Sequence, residues 1–85
     1  MKVVVHRRAV RYLRRLPTGH QERIKTRLRE LGDPKGRADV IEMKGRWKGY
    51  HRLRVGDHRV ILFFDLQEGM IHVEYIGTRG DVYKL

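Results

Sequence analysis

The chain has 85 residues and a formal net charge of +10, from 20 Lys and Arg against 10 Asp and Glu. Its length supports one domain over residues 1–85, and its charge favours nucleic acid, an anionic membrane surface or an acidic protein as partner. The absence of cysteine excludes disulfides and thiolate metal sites. No apolar run reaches the roughly 18 residues of a membrane span or resembles a signal-peptide core, so we expect a cytoplasmic protein.

The first half of the chain predicts a strand followed by two helices. The β-branched run Lys2–Val5 is typical of a strand. Segment 6–16 is rich in arginine, has apolar residues at helical spacing, and is ended by a proline. Thr18 and Gln21 have capping-box spacing and predict the start of a second helix, which ends in the breakers of Gly32–Gly36. The predicted core-facing helix residues are Ala9, Leu13, Leu16, Ile24, Leu28 and Leu31.

The second half of the chain changes to the period of strands. The predicted strands are Asp39–Gly45, His51–Val55, His58–Asp65 and Met70–Gly77. Gly56-Asp57 is typical of a two-residue hairpin turn. The layout is therefore β-α-α-β-β-β-β, an α+β fold in which two N-terminal helices pack on one face of a twisted, mainly antiparallel sheet.

The hairpin turn also assigns side chains to the two faces of the sheet. Alternation from the turn places Leu53, Val55, Val60, Leu62 and Phe64 under the helices, and Arg52, Arg54, Arg59, Ile61 and Phe63 on the open face. Arg54 and Arg59 are then directly opposite, an arrangement of like charges that is destabilising. An anion would offset this repulsion, either a phosphate ligand, which guanidinium forks match, or an acidic protein. The alternative is that the arginines extend into solvent and are screened by salt.

The last strand is followed by further candidate binding residues. Arg79 and Tyr83 combine a cation with an aromatic ring, as in sites that hold a phosphate and stack a base. Their structural alternatives are a solvated turn residue and a packing residue. Trp47 is either a stacking platform or a packing residue. The arginines of the first helix (Arg7, Arg8, Arg11, Arg14 and Arg15) form either a solvated face or a surface that docks on RNA.

Two segments, YHRLRVGDHRVILFF and YIGTRGDVYK, resemble the RelE/ParE superfamily of toxin–antitoxin toxins, and more specifically its RelE branch. The resemblance spans essentially the whole chain, including LRRLP before the second helix. It implies a RelE-like toxin of a type II toxin–antitoxin system, which cleaves messenger RNA in the ribosomal A site and so inhibits translation. It also implies a small RelB-like antitoxin that wraps the toxin.

The resemblance assigns the catalytic positions to Arg52, Arg54, Arg59, Arg79 and Tyr83. It implies attack of the RNA 2′-hydroxyl on its own 3′-phosphate, which leaves a 2′,3′-cyclic phosphate and a 5′-hydroxyl without cofactor or metal. Arg59 and Arg79 are expected on the scissile phosphate, and the other two arginines on the RNA backbone and leaving group. Arginine stays protonated and cannot act as the base, so Tyr83 is the expected base or positioning residue.

Histidines and alternative activities complete the sequence-based hypotheses. Histidine is the side chain that most often exchanges protons near neutral pH, which makes His51 and His58 alternative bases, but the predicted register places both on the face opposite Arg59. His58 also stands where many relatives carry tyrosine. The alternatives to the nuclease are a ParE-like inhibitor of DNA gyrase, and a non-catalytic RNA-binding module or inactive toxin remnant.

Overall fold

The computed structural model describes residues 2–33 and 40–78. Its elements are β1 (Lys2–Val5), α1 (Arg7–Arg14), α2 (Thr18–Gly32), β2 (Val40–Glu42), a short 3₁₀ turn (Gly45–Trp47), β3 (His51–Val55), β4 (His58–Asp65) and β5 (Met70–Thr78). This order confirms the predicted β-α-α-β-β-β-β layout. Within the described part of the chain, no helix is long and apolar enough to cross a membrane.

The five strands form one sheet in the order β1-β5-β4-β3-β2. The pairs β2–β3, β3–β4 and β4–β5 are antiparallel. The pair β1–β5 is parallel. The chain between β1 and β5 contains both helices and the other three strands, and this long connection makes the parallel pairing possible, because parallel strands need a crossover rather than a hairpin. The sheet is therefore mixed but mainly antiparallel, as expected.

The turn between β3 and β4 has the predicted length of two residues. Val55 pairs with His58 and Arg54 with Arg59 on either side of it. Gly56 has a φ of +60°, whereas Asp57 does not have a positive φ. A glycine with positive φ at the first central position is the pattern of a type II′ turn, whose twist matches that of the flanking strands. This turn fixes the register of the hairpin and hence the face of every side chain on it.

The hydrophobic core lies between the two helices and one face of the sheet. Its fully or nearly fully buried members are Ala9, Leu13, Ile24, Leu28, Leu53, Val55, Val60, Leu62, Ile71, Val73 and Ile76. Leu16, Leu31 and Phe64 are partly buried against it. The predicted assignment of alternate β3 and β4 residues to this face is confirmed, because each apolar residue assigned to it is in or against the core.

Several predicted boundaries are wrong. Helix α1 covers Arg7–Arg14 instead of residues 6–16, and β5 ends at Thr78 instead of Gly77. Thr18 is the first residue of α2 rather than its cap: the carbonyl of Pro17 accepts the first helical N–H groups, and the side-chain amide of Gln21 donates a 2.7 Å hydrogen bond to the carbonyl of Leu16. Strand β2 ends at Glu42 instead of continuing to Gly45, where the 3₁₀ turn begins. A three-residue edge strand also limits the pairing surface that the sheet exposes.

Candidate functional site

Three arginines lie on the sheet face that the helices leave open. Arg54 on β3 is directly opposite Arg59 on β4, and Arg52 is two residues before Arg54. Arg54 is exposed, whereas the other two are half-buried. Nε of Arg54 also donates a long, 3.4 Å hydrogen bond to the carbonyl of Gly56. The predicted juxtaposition of these three residues, the arginine cluster, is confirmed, whereas their catalytic role stays a prediction.

The positive charge of the arginine cluster is not neutralised at its centre. Among the described residues, no carboxylate forms an ion pair with Arg54 or Arg59. Nε of Arg59 is buried and has no hydrogen-bond partner within the same set of residues. Two guanidinium groups held on opposite strands without an acidic partner favour an external anion, because their mutual repulsion is otherwise offset only by solvent and salt.

The arginine cluster rests on a buried isoleucine of the same face. Ile61 has no solvent exposure, although it is on the open side of the sheet. Its cross-strand partners are Arg52 on β3 and Tyr75 on β5, and its neighbours along β4 on the same face are Arg59 and Phe63. Long side chains such as arginine cover apolar surface with their methylene stems while the charged end reaches water. The site is therefore built on a small second core, which sequence alternation did not predict.

A row of aromatic rings crosses the open face beyond Ile61. It consists of Trp47, Tyr50, Phe63, His72 and His6, in that spatial order. The rings of Phe63 and His72 are stacked with centroids 4.6 Å apart, and Tyr50 meets Phe63 edge to face at 5.5 Å. Nε2 of His6 and Nδ1 of His72 are hydrogen-bonded at 3.0 Å. The open face thus has a cationic half near the hairpin turn and an aromatic half beyond it.

Sequence reasoning missed most of this aromatic row. Alternation predicts Phe63 on the open face, and Trp47 is predicted as a stacking platform or a packing residue, but neither pattern identifies the rings that these two residues contact. The pairing of Phe63 with His72 depends on a β-bulge between Ile61 and Leu62 that shifts the register against β5. The contact of His6 with the row depends on the parallel β1–β5 pairing. Neither feature has a local sequence signal.

A second histidine cluster anchors the hairpin to the helices on the core side. His58 is only 9% exposed, and its Nδ1 is hydrogen-bonded to the hydroxyl of Tyr12 at 2.9 Å and its Nε2 to Nδ1 of His20 at 3.1 Å. In a neutral imidazole one nitrogen donates and the other accepts, so both bonds form without charge. His51 and His58 both lie on the face opposite Arg59, as predicted.

We expect this buried histidine to make the stability of the protein depend on pH. Burial, and next the charge of His20, lower the pKa of His58 below 6.5, with Arg23 acting in the same direction and Asp57 against it. A lowered pKa stabilises the fold above about pH 6.5, and that contribution is lost as the pH falls through 6.5 toward the lower folded value. Urea unfolding at pH about 7.5 and 5.5 measures the loss.

The matched variant is His58→Gln, which keeps a donor and an acceptor but does not titrate. We expect a smaller drop in the free energy of unfolding between the two pH values than in the wild type. The difference between the two drops isolates His58 from the other histidines. Parallel pH profiles for wild type and variant would contradict the prediction.

The outer face of α1 is a further basic surface. Arg7, Arg11, Arg14 and Arg15 are exposed and, with Val10, line a surface cavity of about 450 Å³. The guanidinium carbon of Arg8 lies 5.2 Å from the ring centroid of Tyr75. The exposed arginines of α1 agree with either predicted role, a solvated face or a nucleic-acid contact.

The two remaining predicted site residues, Arg79 and Tyr83, lie outside the described residues. The last described strand runs beside the arginine cluster, because Gly77 pairs with Arg59. In residues 2–33 and 40–78, no group of three or more His, Asp or Glu side chains is arranged to hold a metal ion.

Solved structures of RelE-containing complexes and of an isolated RelE toxin have a similar fold. No protein-family model matches the chain, and no curated protein matches it in sequence. A chain of the archaeal RelE–RelB complex from Pyrococcus horikoshii OT3 is similar, with 29% identity, a TM-score of 0.72 and coverage of 93% of this chain and 94% of that chain. The RelB–RelE antitoxin–toxin complex from Methanococcus jannaschii has 22% identity, a TM-score of 0.73 and 94% coverage of both chains. The isolated E. coli RelE toxin has 18% identity, a TM-score of 0.70 and coverage of 96% and 89%.

Proposed function

We propose that this chain, whose structure belongs to the RelE-like toxin superfamily, is the toxin of a type II toxin–antitoxin system and cleaves messenger RNA in the ribosomal A site. The observation that carries the proposal is the arginine cluster. Arg54 and Arg59 are directly opposite on one hairpin, and no described carboxylate neutralises them. Such an arrangement is costly unless an anion such as an RNA phosphate binds there.

The proposed reaction is an attack of the RNA 2′-hydroxyl on the adjacent 3′-phosphate. The 2′-oxygen forms a bond to phosphorus, the bond from phosphorus to the 5′-oxygen of the next nucleotide breaks, and that oxygen takes up a proton. The attacking hydroxyl loses its proton to a base. The products are a 2′,3′-cyclic phosphate and a 5′-hydroxyl, so the reaction uses no protein nucleophile.

The arginines supply the charge that this reaction needs. Negative charge on the phosphate oxygens increases in the transition state, and cations fixed in advance at that position lower the barrier without reorganisation. Arg59 is on the central strand β4, and we assign it to the scissile phosphate together with Arg79. Arg52 and Arg54 bind the backbone and the leaving group. Tyr83 is the proposed base or positioning residue.

We further propose that a small RelB-like antitoxin is the protein partner. Solved structures of the same fold include RelE–RelB complexes, and an acidic antitoxin segment is complementary to a chain of net charge +10. The antitoxin and RNA would then neutralise the same arginine cluster in turn. The place of action is the cytoplasm, where translating ribosomes are.

The test is cleavage of a defined messenger RNA on purified ribosomes, with each codon in turn placed in the A site. We expect primer extension to map a cut within that codon, and the new 3′ end to carry a cyclic phosphate. Naked RNA without ribosomes is the control and should stay intact.

Intact messenger RNA on programmed ribosomes would overturn the proposal. A supercoiling assay with DNA gyrase then separates the remaining possibilities. Inhibition of supercoiling would identify a ParE-like activity, and no effect in either assay would identify a non-catalytic protein.

A further inference from the structure

A surface cavity of about 480 Å³ lies at the β2–β3 edge of the sheet, next to the arginine cluster. It is lined by Arg27, Ile41, Arg52, Arg54 and Gly56. Two of these residues belong to the arginine cluster, whereas Arg27 comes from helix α2 and was not among the residues that the sequence singled out. The cavity therefore joins three guanidinium groups from two different elements.

Helix α2 turns one flank toward the hairpin. Arg23 and Arg27 are four residues apart and so lie on the same side of the helix. A β-carbon added at Gly56 would be 3.5 Å from Nη1 of Arg23, which shows how closely this flank approaches the turn. Glu30 contacts Arg27 from its own helix, with 3.6 Å between Nε and Oε2. That distance is too long for a hydrogen bond, and Nε of Arg27 is buried without one among the described residues. This part of the side chain is therefore enclosed by protein.

We propose that this cavity binds the RNA nucleotide next to the scissile phosphate. Arg27, Arg52 and Arg54 hold its phosphate, and Ile41 packs against its ribose or base. Guanidinium forks match phosphate oxygens in a bidentate way, and Ile41, which is 56% exposed, gives the cavity an apolar wall. The inference rests on the proposed function, because it takes Arg59 as the residue at the scissile phosphate.

Continuity with Arg59 favours RNA over an acidic protein segment. Arg54 lines the cavity and is also the direct cross-strand partner of Arg59, and directly opposed residues of antiparallel strands have Cα atoms only about 4.5–5.5 Å apart. A strand of RNA with one phosphate on Arg59 must place its neighbouring phosphate within one nucleotide of that point. The cavity shares Arg54 with that point and adds Arg27 and Arg52, so it can hold the neighbouring phosphate.

The experiment measures binding of an RNA that cannot be cleaved, because its A-site codon carries 2′-O-methyl groups. The full-length protein is titrated against this RNA on ribosomes and as a free oligonucleotide, at several salt concentrations. For Arg27→Gln we expect about 10-fold weaker binding, which corresponds to about 1.4 kcal/mol, and a salt slope smaller by about 0.7, the value for one phosphate of a single strand. Arg29→Gln is the matched control on the same helix, since Arg29 lies at the opposite edge of the sheet with Val3 and Val5.

Neutral methylphosphonate linkages identify which phosphate Arg27 contacts. When the linkage next to the scissile one is neutral, Arg27→Gln should lose no further affinity, because the two changes remove the same interaction. Neutral linkages elsewhere should leave the effect of the substitution intact. Arg27→Lys keeps the charge and should restore most of the salt slope. If Arg27→Gln does not fold, this lysine variant and the methylphosphonate series on the wild type still give the result.

Several outcomes would overturn the inference. An unchanged salt slope in Arg27→Gln, or an effect that does not depend on which linkage is neutral, would exclude a phosphate contact at this position. Weaker binding of the antitoxin with RNA binding unchanged would assign the cavity to the protein partner. The two proposals fail separately. If Arg27→Gln does not weaken RNA binding while the wild type still cleaves messenger RNA, only the proposed nucleotide site is refuted. If Arg27→Gln weakens RNA binding as expected but the wild type does not cleave, only the nuclease proposal is refuted.

Discussion

Replacing Arg59 by glutamine is expected to lower the rate of messenger RNA cleavage on ribosomes by about 10²–10³-fold, the usual cost of losing one preorganised charge or donor at a transition state. The free energy of unfolding should change by no more than about 1 kcal/mol. Glutamine keeps part of the stem that covers Ile61 and removes the repulsion with Arg54, the direct cross-strand partner. Single-turnover cleavage and urea unfolding of the same preparation measure the two quantities.

The combination of a large loss of activity with intact stability is what distinguishes a catalytic role from a structural one. Arg29→Gln is again the matched control, because it removes the same charge far from the hairpin, and it should retain cleavage. A folded Arg59→Gln variant with wild-type cleavage would refute the assignment of Arg59 to the scissile phosphate. A variant that loses activity together with its fold would identify Arg59 as a structural residue.

The second large effect is expected at Ile61, on stability. Ile61→Ala should lower the free energy of unfolding by about 2–5 kcal/mol, because the side chain has no solvent exposure and its removal leaves a cavity under the arginine cluster. For a domain of 85 residues this is a large share of a total of about 5–15 kcal/mol. Urea unfolding with a linear extrapolation measures it.

Ile41 is the matched control for this prediction. It is the same residue type on the edge strand β2 and is 56% exposed, so Ile41→Ala should cost less than about 1 kcal/mol. Similar losses at the two positions would contradict the description of a second core beneath the open face. That outcome would mean that the arginine side chains do not shield Ile61 from water in solution.

The architecture was predictable because its signals are local. The β-branched strand run, the apolar spacing of the two helices and the turn residues Gly56-Asp57 each act within a few positions of the chain. The turn was the most informative, because a two-residue loop fixes the register and therefore both faces of the hairpin. The errors fell where local patterns compete: Thr18 is a favourable cap, but the proline before it already supplies the carbonyl that begins the helix.

The candidate site was predictable only in part, for a related reason. Arg52, Arg54 and Arg59 belong to one hairpin, so their juxtaposition follows from its register. Arg27 joins them through the packing of α2 against the sheet, which depends on the whole core and leaves no mark at the residue itself. The aromatic row depends on a bulge and on a pairing between distant strands, which local spacing does not specify.

The pairing of β1 with β5 also has a consequence for how the protein is made. Residues 2–5 find their hydrogen-bonding partners in residues 70–73, so residues 70–73 must leave the exit tunnel before the first strand can dock. Contacts of such high sequence separation form late and slow the folding of a domain. The sheet of a nascent chain therefore remains incomplete until β5 has emerged from the ribosome. For the proposed toxin, this order of assembly delays completion of the sheet that carries the arginine cluster until β5 has been synthesised, and it gives an antitoxin time to bind the nascent chain first.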